Sequence, residues 1–258
     1  MKAYVLAAGY GTRLGELGKK RAKALLEVGN RPILSHILGR IEALEGLDGV
    51  VLVTNARFAP DFQTWKSAYT GPLSVSILDD GTTTAETRLG ALADLQLALE
   101  QEPPGEDGLL VVAGDNLLEF DLQKAYRHFL VSGRPTLVVR KREPEAHGAS
   151  RYNAVTLDDA GRVTSFEEKP EAPKSPLAAI ALYFLPTTAV AFLDRYLASG
   201  GNHDAPGNFI AWLVKETAVD AVPLTGEWHD IGDPESLARA QGRFAPTKPG
   251  GTRSGEAP

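Results

Sequence analysis

The stretch LAAGYGTRL, residues 6–14, leaves an apolar run through Gly9 and Gly11 and then sets down Arg13, with Lys23 beyond it in the basic cluster KKRAK. Glycines let backbone N–H groups approach a bound group closely, and cations just past them can reach its phosphates. An ordinary glycine-rich turn with surface basic residues fits the same pattern. Asp115 follows the apolar run LLVVAG, residues 109–114. A carboxylate at the end of a buried parallel strand is placed to hold a hard cation such as Mg2+, and the plain alternative is a turn or helix-cap aspartate. Glu168 and Lys169 put a hydroxyl acceptor and a phosphate donor on adjacent residues, with Pro170 biasing Lys169 toward an extended backbone. Taken alone, such a pair reads as a solvated strand edge.

Two familiar glycine loops are excluded. Arg13 stands where a P-loop ending in Gly18–Lys19 needs its first glycine, and Leu14 stands where a dinucleotide fingerprint needs its third. There are no cysteines, so disulfides, thiolate metal sites and cysteine nucleophiles are excluded as well. With 27 basic and 33 acidic residues the formal charge is −6, which argues against a general nucleic-acid or membrane-surface binder. The N-terminus lacks a signal-peptide layout and no apolar run approaches membrane-spanning length, so a cytoplasmic protein is expected.

The elements that must position these residues show in the apolar pattern. Residues 3–7, 50–55, 73–78 and 109–114 are short, β-branched and apolar, as buried parallel strands are. Residues 32–44 and 85–101 space their apolar residues by three and four and predict helices, with Pro32 suited to a first turn. The alternation predicts an α/β fold with an open, mostly parallel Rossmann-like sheet covered by helices on both faces. After about residue 135 the texture turns β-rich, through TLVVRK, YNAVTLDDAGRVTSFEEKP and AAIALYFLP, with DDAG as a hairpin turn. Helical patterns return at 187–198, 208–217 and 234–243, and the Pro-, Gly- and Ser-rich tail 245–258 is expected to be disordered.

The run LAAGYGTRLGELGKKRAKALLEVGNRPIL resembles the signature of sugar-nucleotide pyrophosphorylases, L-A-[AG]-G-x-G-T-R-L followed by P-K-x-L-L-P-V, and in particular that of glucose-1-phosphate thymidylyltransferases. The resemblance implies that Arg13 and Lys23 are catalytic and that Ala8, Gly9, Gly11, Thr12 and Arg13 hold the nucleotide. VVAGDN (111–116) is similar to the family's G-D-N metal site, which makes Asp115 a ligand. WHDIGDPESL (228–237) is similar to W-x-D-[IT]-G-T-P-E-x-L, which makes Asp230 the second ligand and Asp233 a helix cap. FEEKPEAPKSPLAAIALYF (166–184) resembles the E-E-K-P block, in which Glu168 contacts sugar hydroxyls and Lys169 the sugar phosphate. Asn153 falls in the same sugar site, and Gly81 falls where the family reads the base and could admit its ring. Departures are Ala22 and Glu27 where prolines are usual, and Asn153 and Ala181 where glycines are usual.

By this resemblance a single nucleotidyltransferase domain spans 1–244, with a nucleotide-binding part at 1–135 and a smaller β-rich sugar-binding part at 136–244. It would couple a nucleoside triphosphate and a sugar 1-phosphate to a nucleotide-sugar plus pyrophosphate, with Mg2+, and family members are often homo-oligomers. Two other readings are a non-catalytic nucleotide-sugar sensor on the same fold, and a cytidylyl- or guanylyltransferase acting on a non-sugar phosphate.

Overall fold

A computed structural model describes residues 1–141 and 152–244. The expected tail at 245–258 lies outside the described residues. The first half runs β1 (Lys2–Leu6), α1 (Glu16–Lys20), β2 (Glu27–Val28), β3 (Arg31–Pro32), α2 (Ile33–Ile41), β4 (Gly49–Thr54), α3 (Ala59–Ala68) and β5 (Ser74–Asp79). It continues with α4 (Ala91–Gln101), β6 (Leu109–Ala113), β7 (Asn116–Leu118) and α5 (Gln123–Ser132). The second half contains β8 (Thr136–Lys141), β9 (Ala154–Leu157), β10 (Val163–Glu167), β11 (Leu177–Leu185), α6 (Ala189–Ala198), α7 (Pro206–Glu216), β12 (Asp220–Pro223), β13 (Trp228–Asp230) and α8 (Pro234–Arg243).

Seven strands form one sheet in the order β12-β8-β11-β6-β1-β4-β5. β1 pairs in parallel with β4 and β6, β4 with β5, and β12 with β8. Only β11 runs against its neighbours, lying antiparallel between β6 and β8. The sheet is therefore mostly parallel, as expected, and helices cover both faces. Alternation within the strands sends Ala3 and Val5 toward α2 and α5 on one face, and Tyr4 toward α4 and α7 on the other.

The β9–β10 hairpin turns through Asp158–Gly161, with Asp158 N–H bonding Arg162 O at 2.9 Å and Gly161 at φ 80°, as DDAG predicts. The helix expected from residue 85 begins instead at Ala91. Gly90 at φ 97° breaks the turn, and Leu92 N–H is drawn to His203 O at 2.9 Å, so 82–90 is loop. Inside that loop the Thr84 carbonyl accepts a bond from Thr87 N–H at 3.2 Å.

Candidate active site

The strand ends decide the site. β1 and β6 are parallel neighbours in register Leu6↔Ala113, so their two exits, the glycine loop and Gly114–Asp115, emerge side by side. Gly114 N–H bonds Leu6 O at 2.9 Å, and a Cβ on Gly114 would press on Ala7 and Leu6 at 3.0 Å. Asn55, just past β4, donates its amide to Ala8 O at 2.7 Å and ties the loop to a third strand end. Gly11 sits at φ 61°, ψ 32°, the left-handed region that glycine enters at little cost. Gly18 packs so closely on the Gly11 carbonyl that any side chain there would overlap it. The first glycine, Gly9, faces open space, as does Gly81 at φ 77°.

Asp230 reaches the same place by a different route. β13 pairs antiparallel with β7 in register Asp230↔Asn116, and Ile231 N–H bonds Asp115 O at 3.1 Å. Asn116 bolts the arrangement: its amide oxygen accepts from Trp228 Nε1 at 2.8 Å and its amide nitrogen donates to Ala181 O at 3.3 Å. Lys23 Nζ donates to Asp115 Oδ2 at 2.9 Å, with both side chains largely covered. Burial, and next the charge of Asp115, push the Asp230 carboxyl up to about 6, while Lys23, Arg13 and Lys169 pull it back. Arg13 also lies against Gly232, where an added Cβ would stand 3.3 Å from the guanidinium. The structure thus brings Arg13, Lys23, Asp115, Lys169 and Asp230 into one electrostatic neighbourhood.

Ala22 shows why its departure from proline matters little locally. It is 1% exposed and holds φ −57°, ψ 139°, a conformation proline itself adopts. Lys169 differs from expectation: it stands at φ 45°, left-handed and not extended, despite Pro170. Contacts on either side outweigh the pre-proline preference. Phe166 is buried, and Glu168 Oε2 fits against the first turn of α7, where a Cβ on Gly207 would overlap it. Burial raises the Glu168 carboxyl above the usual carboxylate range, with Lys169 opposing, and Tyr183 lies close enough to feel its charge. Asn153 spends its side chain on the backbone of β11, accepting from Ala179 N–H at 2.6 Å and donating to Ala179 O at 3.0 Å. His229 faces Glu119 at 3.2 Å and the Phe244 ring, a rim position. Thr12 is an exposed residue of the short turn after Gly11.

Sequence reasoning did not single out Asn55, Asn116 or Gly207. Asn55 and Asn116 each carried a legible signal, a polar amide next to apolar residues: Asn55 follows β4, and Asn116 opens β7. Gly207 carried none, because its partner is distant in the chain. Among the described residues there is no cluster of three or more His, Asp or Glu side chains able to enclose a metal ion. No helix among them is long and apolar enough to cross a membrane.

Over residues 2–245 the sequence matches the family described as nucleotidyl transferase. The chain belongs to the nucleotidyl transferase family. The bifunctional protein GlmU of Methanocaldococcus jannaschii is 27% identical over 240 residues, 93% of this chain and 53% of that protein. The UTP–glucose-1-phosphate uridylyltransferase AglF of Haloferax volcanii is 28% identical over 246 residues, 95% of this chain and 96% of that enzyme. This nucleotidyl transferase chain therefore spans about half of one curated relative and nearly all of another. Glucose-1-phosphate thymidylyltransferases of two Streptomyces species are also relatives. A solved UDP-glucose pyrophosphorylase complexed with UDP-glucose shares the fold, with TM-score 0.77 over 94% of this chain and 97% of that one at 18% identity.

Proposed function

We propose that the protein is a sugar-1-phosphate nucleotidyltransferase: a sugar 1-phosphate oxygen attacks the α-phosphorus of a nucleoside triphosphate and pyrophosphate leaves. The observation that carries this is the meeting of Lys23, Asp115, Asp230, Arg13 and Lys169 beside a glycine loop with open space at Gly9 and Gly81. Such transfers run on alignment and charge stabilisation and require no protein nucleophile. The equal-length Haloferax relative acts, by its name, on UTP and glucose 1-phosphate, which supports sugar 1-phosphate as acceptor.

Arg13 and Lys23 would neutralise the triphosphate and the departing pyrophosphate. Lys169 would orient the attacking phosphate, and Glu168, held by Gly207, would receive sugar hydroxyls. Asn153, with both amide ends engaged, would support that pocket by fixing β9 against β11. Ala8, Gly9, Gly11, Thr12 and Gly81 would line the nucleotide. Asp115 and Asp230 suit Mg2+: two neighbouring carboxylates, Asp230 raised by burial and next by the charge of Asp115, are the hard oxygen donors this ion takes when substrate phosphates complete its shell. When bound it would supply charge stabilisation at the α-phosphate. Lys23 meanwhile offsets Asp115.

The test is a pyrophosphate-release screen with Mg2+, crossing dTTP, UTP, CTP, GTP and ATP with several sugar 1-phosphates. Release that needs both partners and stops with chelator is expected, and the active pair names base and sugar. No release with any pair, together with tight binding of a nucleotide-sugar, would overturn the enzyme reading in favour of a sensor.

A further inference from the structure

We infer that Asp94 is a positioning residue for the nucleotide: it shares one proton with Asp80 and so holds the 79–82 loop against the glycine loop. This deepens the proposed function, on which its nucleotide half rests. The geometry begins at Tyr10, in the glycine loop. Its hydroxyl lies 2.9 Å from Thr82 Oγ1, and that Oγ1 donates to Asp80 Oδ1 at 2.7 Å. Since the Thr82 proton goes to Asp80, Tyr10 must be the donor to Thr82. Thr82 N–H also donates to Asp80 Oδ1, at 2.7 Å, and Gly81 N–H to Asp79 Oδ1, at 2.8 Å. The loop is thus threaded on Asp80, and Asp80 is joined through Thr82 to the nucleotide loop.

The other side of Asp80 is unusual. Asp80 Oδ2 and Asp94 Oδ1 are both buried, and neither has a donor of its own. The two carboxyls stand near enough to each other to share a hydrogen bond once one of them carries a proton. Two ionised carboxylates are acceptors only, so that bond exists only when a proton lies between them. Asp94 is 5% exposed in the first turn of α4. No Lys, Arg or His is hydrogen-bonded to either acid among the described residues. Around them stand Asp79 at the end of β5, which repels Asp80, and Arg57 beyond β4, which acts on Tyr10. The start of α4 favours negative charge weakly. Burial, and next the charge of Asp80, prevail and push Asp94 up to about 8.

Losing the proton puts two like charges in one buried space and frees the loop that flanks Gly81. Nucleotide affinity then falls while the sugar phosphate, held from β10 and α7, is unaffected. Asp94→Asn keeps a neutral donor in place at every pH, and Asp80→Asn does so from the other side should the first variant fail to fold.

The experiment uses the full-length protein in three readouts: KM for each substrate of the active pair and hydrogen exchange of residues 79–82 from pH 7 to 9.5, and thermal midpoint from pH 4 to 9.5. In the wild type, KM for the nucleotide rises about fivefold between pH 8 and 9, as the competent fraction falls from about half to about a tenth. KM for the sugar phosphate stays level, exchange at 79–82 accelerates beyond the intrinsic base-catalysed rise, and the Asn variant shows neither the nucleotide KM rise nor the extra exchange. The thermal midpoint has its own window. The folded acid holds its proton where the unfolded one has lost it, so wild-type stability declines relative to D94N from about pH 4 to 8 and levels above. An Asn variant that tracks the wild-type nucleotide profile, or both KM values rising together, overturns the inference. Silence with every substrate pair would sink the enzyme reading instead, and exchange and midpoint would still decide whether the acid pair holds the loop.

Discussion

Lys23 and Asp115 are the residues on which charge matters most directly. They neutralise each other across 2.9 Å, and in the proposed reaction each would take a different partner, phosphate for the lysine and cation for the aspartate. Lys23→Ala and Asp115→Ala should each lower turnover by roughly a hundredfold or more, the usual cost of removing a charge stabiliser. Far-UV circular dichroism should be unchanged. Near-normal turnover in either variant would contradict the proposed roles. At this scale the sequence was informative wherever a charged residue followed an apolar run, as Asp115 does. It was silent about partners. Nothing in the neighbourhood of Lys169 announces φ 45°, because the burial of Phe166 and the fit of Glu168 on Gly207 are tertiary facts. Nor does the spacing of Asp80 and Asp94 announce that they are buried neighbours.

Elements were legible in proportion to how evenly they are buried. β4 is buried along its whole length and its limits were read to within a residue. By contrast α3 buries only Phe62, which leaves no periodicity to find. α5 buries Ala125, Tyr126 and Phe129 but exposes Leu130 and Val131, the latter 90% exposed, which blurs its apolar face. The start of α4 was misplaced because Gly90 and the bond from Leu92 to His203 end the loop from outside the local pattern. The packing of α7 on the end of β10 offers the sharpest test at this scale. A methyl at Gly207 meets the Glu168 carboxylate and, at 3.3 Å, the Phe166 ring, so the glutamate must move. Alanine is the better helix former, so the helix itself gains. Gly207→Ala should therefore raise KM for the sugar 1-phosphate by about tenfold or more, since small misplacements of a positioning group are costly. KM for the nucleotide should change by less than about twofold, within what an unaltered site shows. Equal effects on both substrates would mean Glu168 does not face the sugar.

At the scale of the whole molecule, the change of texture near residue 135 invites a division that the sheet does not respect. β6 belongs to the first part, yet its neighbour β11 comes from the second, with Leu182 opposite Val112. The core on one face joins Ala3, Val5 and Val112 to Val138, Ile180 and Phe184. The other joins Tyr4, Val51 and Leu95 to Val155, Phe209 and Leu213. Neither part can expose its half of either core without exposing the other's, so unfolding should be a single cooperative event. Calorimetry should show one transition whose calorimetric and van't Hoff enthalpies agree. A ligand bound at the proposed site would engage β1, β6 and β13 together and should shift that whole transition. Mg2+ with the cognate triphosphate at a hundredfold excess over its Kd stabilises by about 2.7 kcal/mol, and at about 2–4 °C per kcal/mol for a chain near this size the midpoint should rise by about 5–10 °C. Two resolved transitions, only one of them moved by the nucleotide, would show that the two parts are independent units and that the charged cluster at the strand ends belongs to just one of them.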